Sequence, residues 1–301
     1  MQQIDLSIII ISYNTKKITL NCLKSIIQSL KNTKITYEII VVDNNSNDGS
    51  QKEILNFKVK NKKTNMKLIF NKDNIGFGKA NNQAVKIAKG EYLLFLNSDI
   101  VVLNNSIEKM FKFYKQYQNL FNFLGGKLLN KDKSPQPSCG PMYFLPMVFA
   151  HLFLKGDYWQ LTRFSPKKLK EVDWVSGACF ITKKEYFNKI NGFDENIFMY
   201  MDEVDLFYRA KKNGYRIFFY PEAKFIHLGS ASSGKRTYPI LQVYKGLLYF
   251  YKKHRNQTEN VILKFMLKLK AKISIFIGYL TKNQYLIETY EKAYQLVKMA
   301  G

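Results

Sequence analysis

The sequence predicts an α/β protein built on a doubly wound, mostly parallel sheet, with a basic helical extension at its C-terminal end. Three observations predict it. Apolar runs of strand length, Leu6–Ile11, Ile39–Val42 and Tyr92–Leu96, alternate with helix-period segments through the N-terminal third. Apart from Ser7 these runs are unbroken rather than alternating, as strands buried on both faces require. Beyond Gly234, thirteen Lys and Arg stand against three Glu, among apolar residues at helical spacing.

Leu6–Ser12 reads as the first strand and ends in Tyr13-Asn14-Thr15. Ile18, Leu20, Leu23, Ile26, Ile27 and Leu30 then recur at helical spacing, with Asn14 or Thr15 as the cap. A second strand, Glu38–Val42, runs into the polar, Gly-containing loop Asp43–Ser50, a strand-to-helix turn by composition. Lys67–Phe70 is a short third strand. Asn71–Gly78 leads into a helix carrying Ala80, Ala84, Val85, Ile87 and Ala88, stopped by Gly90. The Tyr92–Leu96 strand follows and ends in Asn97-Ser98-Asp99. Ligands of open α/β sheets bind beyond the carboxyl ends of the strands. Asp99 therefore stands where a cation-bound phosphate would be held, or else caps a turn. Gly76-Phe77-Gly78 lacks the third glycine of a dinucleotide loop, and no phosphate loop of the Walker type occurs.

Ser134–Pro141 is a Pro-rich connection, and Met142–Leu154 reads as a surface loop with an apolar, membrane-contacting or acceptor-facing segment. The core resumes at Val172–Thr182, followed by a helix over Lys184–Ile190. Tyr200–Leu206 begins another helix, which closes at Gly214, and Arg216–Tyr220 and Lys224–His227 read as two late strands. In the extension, Val261, Ile262, Phe265, Met266, Leu269, Ile273, Phe276, Ile277 and Leu280 share one helix face. Lys264, Lys268, Lys270 and Lys272 interrupt that helix, so it is not a transmembrane span. It lies on an anionic membrane surface, packs back on the preceding domain, or forms a homodimer interface. The expected division is 1–233, with halves of about 1–103 and 104–233, and then 234–301.

The 301 residues allow a large core, and the net charge of +24 calls for anionic partners. A nucleic-acid-binding protein is the less favoured alternative: the Lys residues are dispersed and no nucleic-acid-binding motif is present. Three scattered cysteines, Cys22, Cys139 and Cys179, fit neither a disulfide framework nor a zinc site, and point to a reducing compartment. Asp202, Glu203 and Asp205 fall within one turn. A carboxylate among like charges holds its proton more readily, which suits a general base near neutral pH. The alternative is that acids at a helix N-terminus simply answer its dipole.

Taken as a set, the motifs resemble glycosyltransferase family 2. Ser7–Asn14 and Val41-Val42-Asp43-Asn44-Asn45-Ser46 with Asp48-Gly49 look like the start of that family. Asn74-x-Gly76-Phe77 with Asn81-Asn82, Asn97-Ser98-Asp99 and Trp174-x-Ser176-Gly177-Ala178 are similar to its rhamnosyltransferase-like branch. So are Gly192-Phe193-Asp194-Glu195 and Asp202–Leu206. The resemblance runs from about Leu6 to Gly229, in the family's order.

It implies a GT-A fold and inverting transfer of a sugar from a nucleotide diphosphate donor, dTDP-rhamnose ahead of a UDP-hexose. The acceptor it implies is a glycan or lipid-linked glycan of the cell surface. Tyr13, Asp43 and Asn45 would hold the nucleoside, Asp43 accepting from the base. Asn74, Gly76 and Phe77 would line the nucleotide side, supported by Asn81 and Asn82, with Asn97 and Ser98 beside them. Asp99 matches the last carboxylate of the family's metal motif, whose first position is Asn97 here, and His227 matches a metal-binding histidine. The metal is Mg²⁺ or Mn²⁺. Glu203 matches the base, although the Asp202-Glu203 order reverses the usual Glu-Asp and leaves the choice between the two open. Trp174, Gly177, Ala178 and Asp205 would form the sugar platform and the acceptor side. The place implied is cytoplasmic, peripheral on the inner face of the membrane. A non-catalytic sugar-binding relative stays as a further alternative, because of Asn97.

Overall fold

The computed structural model describes residues 3–229 and 237–300. Strand β1 (Leu6–Ser12), helix α1 (Lys16–Ser29), β2 (Tyr37–Asp43), α2 (Ser50–Lys60), β3 (Met66–Phe70), α3 (Phe77–Ile87) and β4 (Tyr92–Asn97) follow the expected alternation. Next come β5 (Ile100–Val102), α4 (Ser106–Tyr117), β6 (Phe123–Leu129), β7 (Cys139–Gly140) and α5 (Leu145–Phe153). They are followed by β8 (Lys170–Val172), β9 (Trp174–Val175), β10 (Cys179–Lys183), α6 (Lys184–Lys189), α7 (Asp202–Lys212) and β11 (Ile217–His227). The extension holds α8 (Thr237–His254), α9 (Gln257–Leu280) and α10 (Gln284–Met299).

The main sheet runs β3-β2-β1-β4-β10-β6-β11-β5, with β8 also on β11. Its first four strands are parallel, as the unbroken apolar runs predict. Beyond β4 it is mixed, because β10 is antiparallel to both its neighbours while β6 and β11 are parallel. The two-residue period of a strand sends Ile9, Leu93 and Phe95 to one face and Ile8, Ile10, Leu94 and Leu96 to the other. Residues of α3, α7 and α8 cover the first face; residues of α1, α2 and α4 cover the second. Register places Ser12 opposite Asp43 and Ile11 opposite Asn97. The loops after β1, β2 and β4 therefore leave one edge side by side, which is what builds the cleft.

Two local expectations are corrected. Met142–Leu154 is not a loop: most of it is α5, begun by Pro146 in its first turn and buried through Val148, Ala150 and Leu152. A proline there has no N–H that the helix would use, and its φ is already helical. The two late strands are one, β11, with a register shift between Tyr220 and Lys224. Pro221 falls at that shift and donates nothing to the ladder, which explains the irregularity.

Helix α8 joins the first core through Tyr244, Leu247, Phe250 and Tyr251, and the Tyr251 hydroxyl donates to Tyr143 O at 2.9 Å. The expected boundary at Gly234 lies outside the described residues. Helix α9 is capped by Asn256, whose side chain accepts from the Glu259 amide at 2.9 Å. It buries Leu263, Met266, Leu267 and Ala271 against its neighbours. Apart from Met266, the apolar face expected from the sequence is the outer one: Ile262, Phe265, Leu269, Ile273 and Phe276 are exposed. Among the described residues, no helix is long and apolar enough to cross a membrane.

Candidate active site

The strand-edge loops and the start of α7 enclose a cleft of about 550 Å³. Tyr13 and Thr15 come from the β1–α1 turn, Asn44 from the end of β2, and Asn97, Ser98 and Asp99 from the end of β4. Asn74 and Phe77 enter from the start of α3, while Asp202 and Glu203 enter from α7 on the other half of the chain. Gly177 joins the two halves. A Cβ placed there would lie 3.4 Å from the Phe77 ring and 3.6 Å from Glu203 Cβ, so the floor between them is bare backbone.

His227 reaches Asp99 because β11 pairs with β5, setting His227 opposite Ile100 and letting the Leu228 amide donate to Asp99 O at 3.1 Å. Its tautomer follows from Gln136. Gln136 Nε2 donates to Asn130 Oδ1 (3.0 Å) and to His227 O (3.2 Å), so Oε1 is the atom that faces His227 Nδ1 at 2.7 Å. Nδ1 therefore carries a proton, and Nε2 is the atom turned to Asp99. Nε2 lies 3.3 Å from Asp99 Oδ1 and 3.4 Å from Asn97 Nδ2. With Nε2 unprotonated, it and Asp99 Oδ1 are two ligand atoms side by side, a pair that could hold a divalent ion. No cluster of three or more His, Cys, Asp or Glu able to hold a metal exists among the described residues.

The acids of α7 separate by environment. Asp202 is buried, and burial first, then the adjacent Glu203 carboxylate, hold its carboxyl well above the usual range. Glu203 is half-buried and lines the cleft. Immediately upstream, Tyr200 and Met201 have φ of 63° and 65°. Two successive bulky residues in the left-handed region store strain that the surroundings must hold. Part of the hold is Gly246 of α8: a Cβ there would lie 2.8 Å from Met201 Cβ, so only glycine leaves the room.

Several expected site residues lie elsewhere. Trp174 is 2% exposed, its Nε1 donates to Pro141 O at 2.8 Å, and its ring packs against Tyr143; it is core, not a sugar platform on the cleft wall. Asp205 does not face the acceptor side. Its Oδ2 accepts from Arg209 Nε at 2.7 Å, and its Oδ1 lies 2.8 Å from Lys253 Nζ and 2.7 Å from His254 Nε2. Burial alone raises its carboxyl, but His254, Arg209 and Lys253 outweigh this and hold it far below the ordinary range. Asn45 is exposed with φ 66°, and Asn44 takes the place on the cleft wall. Asn44 Nδ2 donates to Gly76 O at 3.1 Å and its Oδ1 accepts from Asn71 at 2.9 Å, tying two loops together.

Asp43 is fully buried, accepting from the Ser46 amide (2.9 Å), Ser46 Oγ (2.6 Å) and Gln51 Nε2 (3.0 Å), and is not on the cleft surface. Gly76, at φ 87°, lies behind the wall: a Cβ there would meet Phe198 O at 2.6 Å. Asn81 donates to Phe77 O at 2.9 Å, on the expected loop, whereas Asn82 donates to Phe193 O at 2.9 Å and so holds a different loop. Sequence reasoning missed Asn44, Gln136, Arg163, Ser176 and Tyr200, all on the cleft. Only Asn44 and Ser176 stood inside a quoted motif; the others sit in aperiodic loops.

Strand-end loops facing an acid-bearing helix across one cleft are arranged as in the GT-A architecture. The chain belongs to glycosyltransferase family 2: the profile described as Glycosyl transferase family 2 matches residues 7–190. It is 27% identical over 222 residues to the N-acetylglucosaminyl-diphospho-decaprenol L-rhamnosyltransferase of Mycobacterium tuberculosis, covering 67% of this chain and 70% of that protein. It is 28% identical over 162 residues to rhamnosyltransferase WbbL of Escherichia coli K12, covering 50% of this chain and 60% of that one. Among solved structures it is similar to the mannosyltransferase PcManGT of Pyrobaculum calidifontis, described in complex with GDP-Man and Mn²⁺. That match has a TM-score of 0.58 at 14% identity and covers 100% of this chain and 77% of that one. Residues 1–349 of S. aureus TarS match with a TM-score of 0.55 at 15% identity, over 99% and 92% of the two chains. The GT-A fold expected from the resemblance is the fold of this chain.

Proposed function

We propose that the protein is an inverting glycosyltransferase, moving a sugar from a nucleotide diphosphate donor to a hydroxyl of a glycan or lipid-linked glycan. The observation that carries this reading is the pairing of sites: Asp99 with His227, and Glu203, line one cleft. Two rhamnosyltransferases among the relatives support dTDP-rhamnose as donor, with a UDP-hexose as the alternative. In the proposed step the Glu203 carboxylate takes the acceptor hydroxyl's proton while that oxygen bonds to the anomeric carbon. The bond from that carbon to the diphosphate breaks on the opposite face, and the nucleoside diphosphate leaves with the electron pair. Asp202, buried beside Glu203 with its carboxyl held well above the usual range, would position Glu203 as the base. Asp99 and His227 Nε2 would hold Mg²⁺ or Mn²⁺, which when bound offsets charge growing on the leaving diphosphate.

The reading assigns residues up to about 103 to the donor, 104–233 to the acceptor and 234–301 to a basic extension. It places the protein in the cytoplasm, peripheral on the inner face of the membrane. The support is the outer stripe of α9, with exposed Phe265, Ile273 and Phe276 among Lys264, Lys268 and Lys272. Pairing with a second copy is the other cover for that stripe.

A panel of nucleotide sugars with Mn²⁺ tests the central claim: hydrolysis of dTDP-rhamnose is expected. Absence of turnover and of nucleotide binding across the panel overturns it. Co-sedimentation with anionic vesicles tests the placement.

A further inference from the structure

Among the described residues that line the cleft, four carboxylates, Asp99, Asp157, Asp202 and Glu203, face a single guanidinium, Arg163. Arg163 lies on the segment after α5, in the half of the chain that follows the strand-edge loops. Its bonding is thin for a guanidinium with five N–H donors. Nη2 donates to Pro137 O at 3.3 Å, and Nε is buried without a hydrogen-bond partner. No carboxylate among the described residues pairs with it within 4.0 Å. Asp157 is engaged instead by the Thr162 hydroxyl at 2.6 Å and by His151 at 3.5 Å. The guanidinium is nonetheless held in place, 5.8 Å over the Trp174 ring. That gives the buried Trp174 a task other than stacking on sugar.

We propose that Arg163 is a phosphate-binding residue of the cleft. This rests on the transferase reading above and deepens it, since that reading leaves Arg163 without a role. An oriented guanidinium with free N–H groups, in a cleft otherwise rich in carboxylates, matches the bidentate geometry of phosphate oxygens. Two phosphates could reach it: the donor's diphosphate, or a diphosphate linking the acceptor glycan to a lipid. Surroundings favour the second. Tyr158, Trp159 and Leu161, exposed at 76%, 66% and 51%, stand just before Arg163 on the same segment, where an apolar chain would lie. The Pro137 carbonyl that Arg163 bonds is next to Gln136, the partner of His227, so the two sites are neighbours along the wall.

Calorimetric titration of wild type, Arg163→Gln and Arg163→Lys with inorganic pyrophosphate, farnesyl diphosphate and dTDP tests this. Thermal unfolding of each variant verifies that it is folded. Arg163→Gln is expected to weaken pyrophosphate and farnesyl diphosphate by about 10- to 100-fold, with Arg163→Lys recovering part of the loss. If the contact is to the acceptor, dTDP affinity is unchanged; if it is to the donor, dTDP weakens alongside the others. Equal affinity of Arg163→Gln and wild type for all three anions overturns the proposal, as does a fall in unfolding temperature with no anion-specific loss. Failure of the parent reading looks different: wild type then neither binds dTDP with Mn²⁺ nor hydrolyses any nucleotide sugar, whatever pyrophosphate does.

Discussion

Glu203 and Asp205 leave the same turn of α7, two positions apart, and meet opposite fates. The cleft side of the helix leaves Glu203 half-buried beside Asp202, whose carboxyl burial holds well above the usual range, with no cation tied to Glu203 among the described ion pairs. On the far side, Asp205 is buried and shared among Arg209, Lys253 and His254, the last two from α8. Lys253 also reaches Asp194 at 2.6 Å, so α8 ties together the two acidic motifs that flank the Tyr200–Met201 turn. The difference leaves one carboxylate open to the cleft and makes the other an anchor. A carboxylate surrounded by cations is a poor proton acceptor near neutral pH.

The sharpest way to break this contrast is Glu203→Gln. Transfer is expected to fall by about 10²- to 10⁴-fold while nucleotide affinity stays unchanged, measured by single-turnover assays and titration. Full activity would remove Glu203 from the role of base. Asp205→Ala comes next, because it leaves two cations, Arg209 and Lys253, and His254 beside an empty buried site. Denaturant unfolding is expected to show a loss of about 3–5 kcal/mol. The same residue sets a pH dependence. Its folded value is depressed, so its stabilisation is present above about pH 4 and drains away as pH falls through the acid range. Asp205→Asn is expected to flatten that acid limb, and an unchanged limb would assign the acid sensitivity elsewhere.

Gly246→Val tests the buttress behind Met201. Overpacking is expected to cost about 1–3 kcal/mol and to lower kcat more than donor affinity, since the displaced turn carries Glu203. The smallest effect belongs to Trp174→Phe. Losing the bond to Pro141 O is expected to cost about 1 kcal/mol, with Arg163 less well seated. A large rise in KM for a phosphate-free glycan acceptor would instead restore Trp174 as a sugar platform.

The parallel half was legible because burial on both faces leaves an unmistakable apolar run, and β1 begins and ends where the sequence places it. Asp99 was legible because strand ends are where such sheets bind ligands. Helix α5 was not, since an apolar segment containing a proline reads as a loop until its first turn is known. Trp174 misled because an aromatic beside Ser-Gly-Ala suits a wall and a core equally. Asp205 misled for a different reason: spacing puts three acids on one turn but cannot name their neighbours, and these come from α8, far along the chain. Arg163 left no periodic trace at all. In each case the missing information was tertiary.

The dependence of the Tyr200–Met201 turn on Gly246 and of Asp205 on Lys253 and His254 makes the start of α7 the joint product of two distant stretches of chain. Local loosening of α8 would release that turn while the sheet stays paired, so the two walls of the cleft need not fail together.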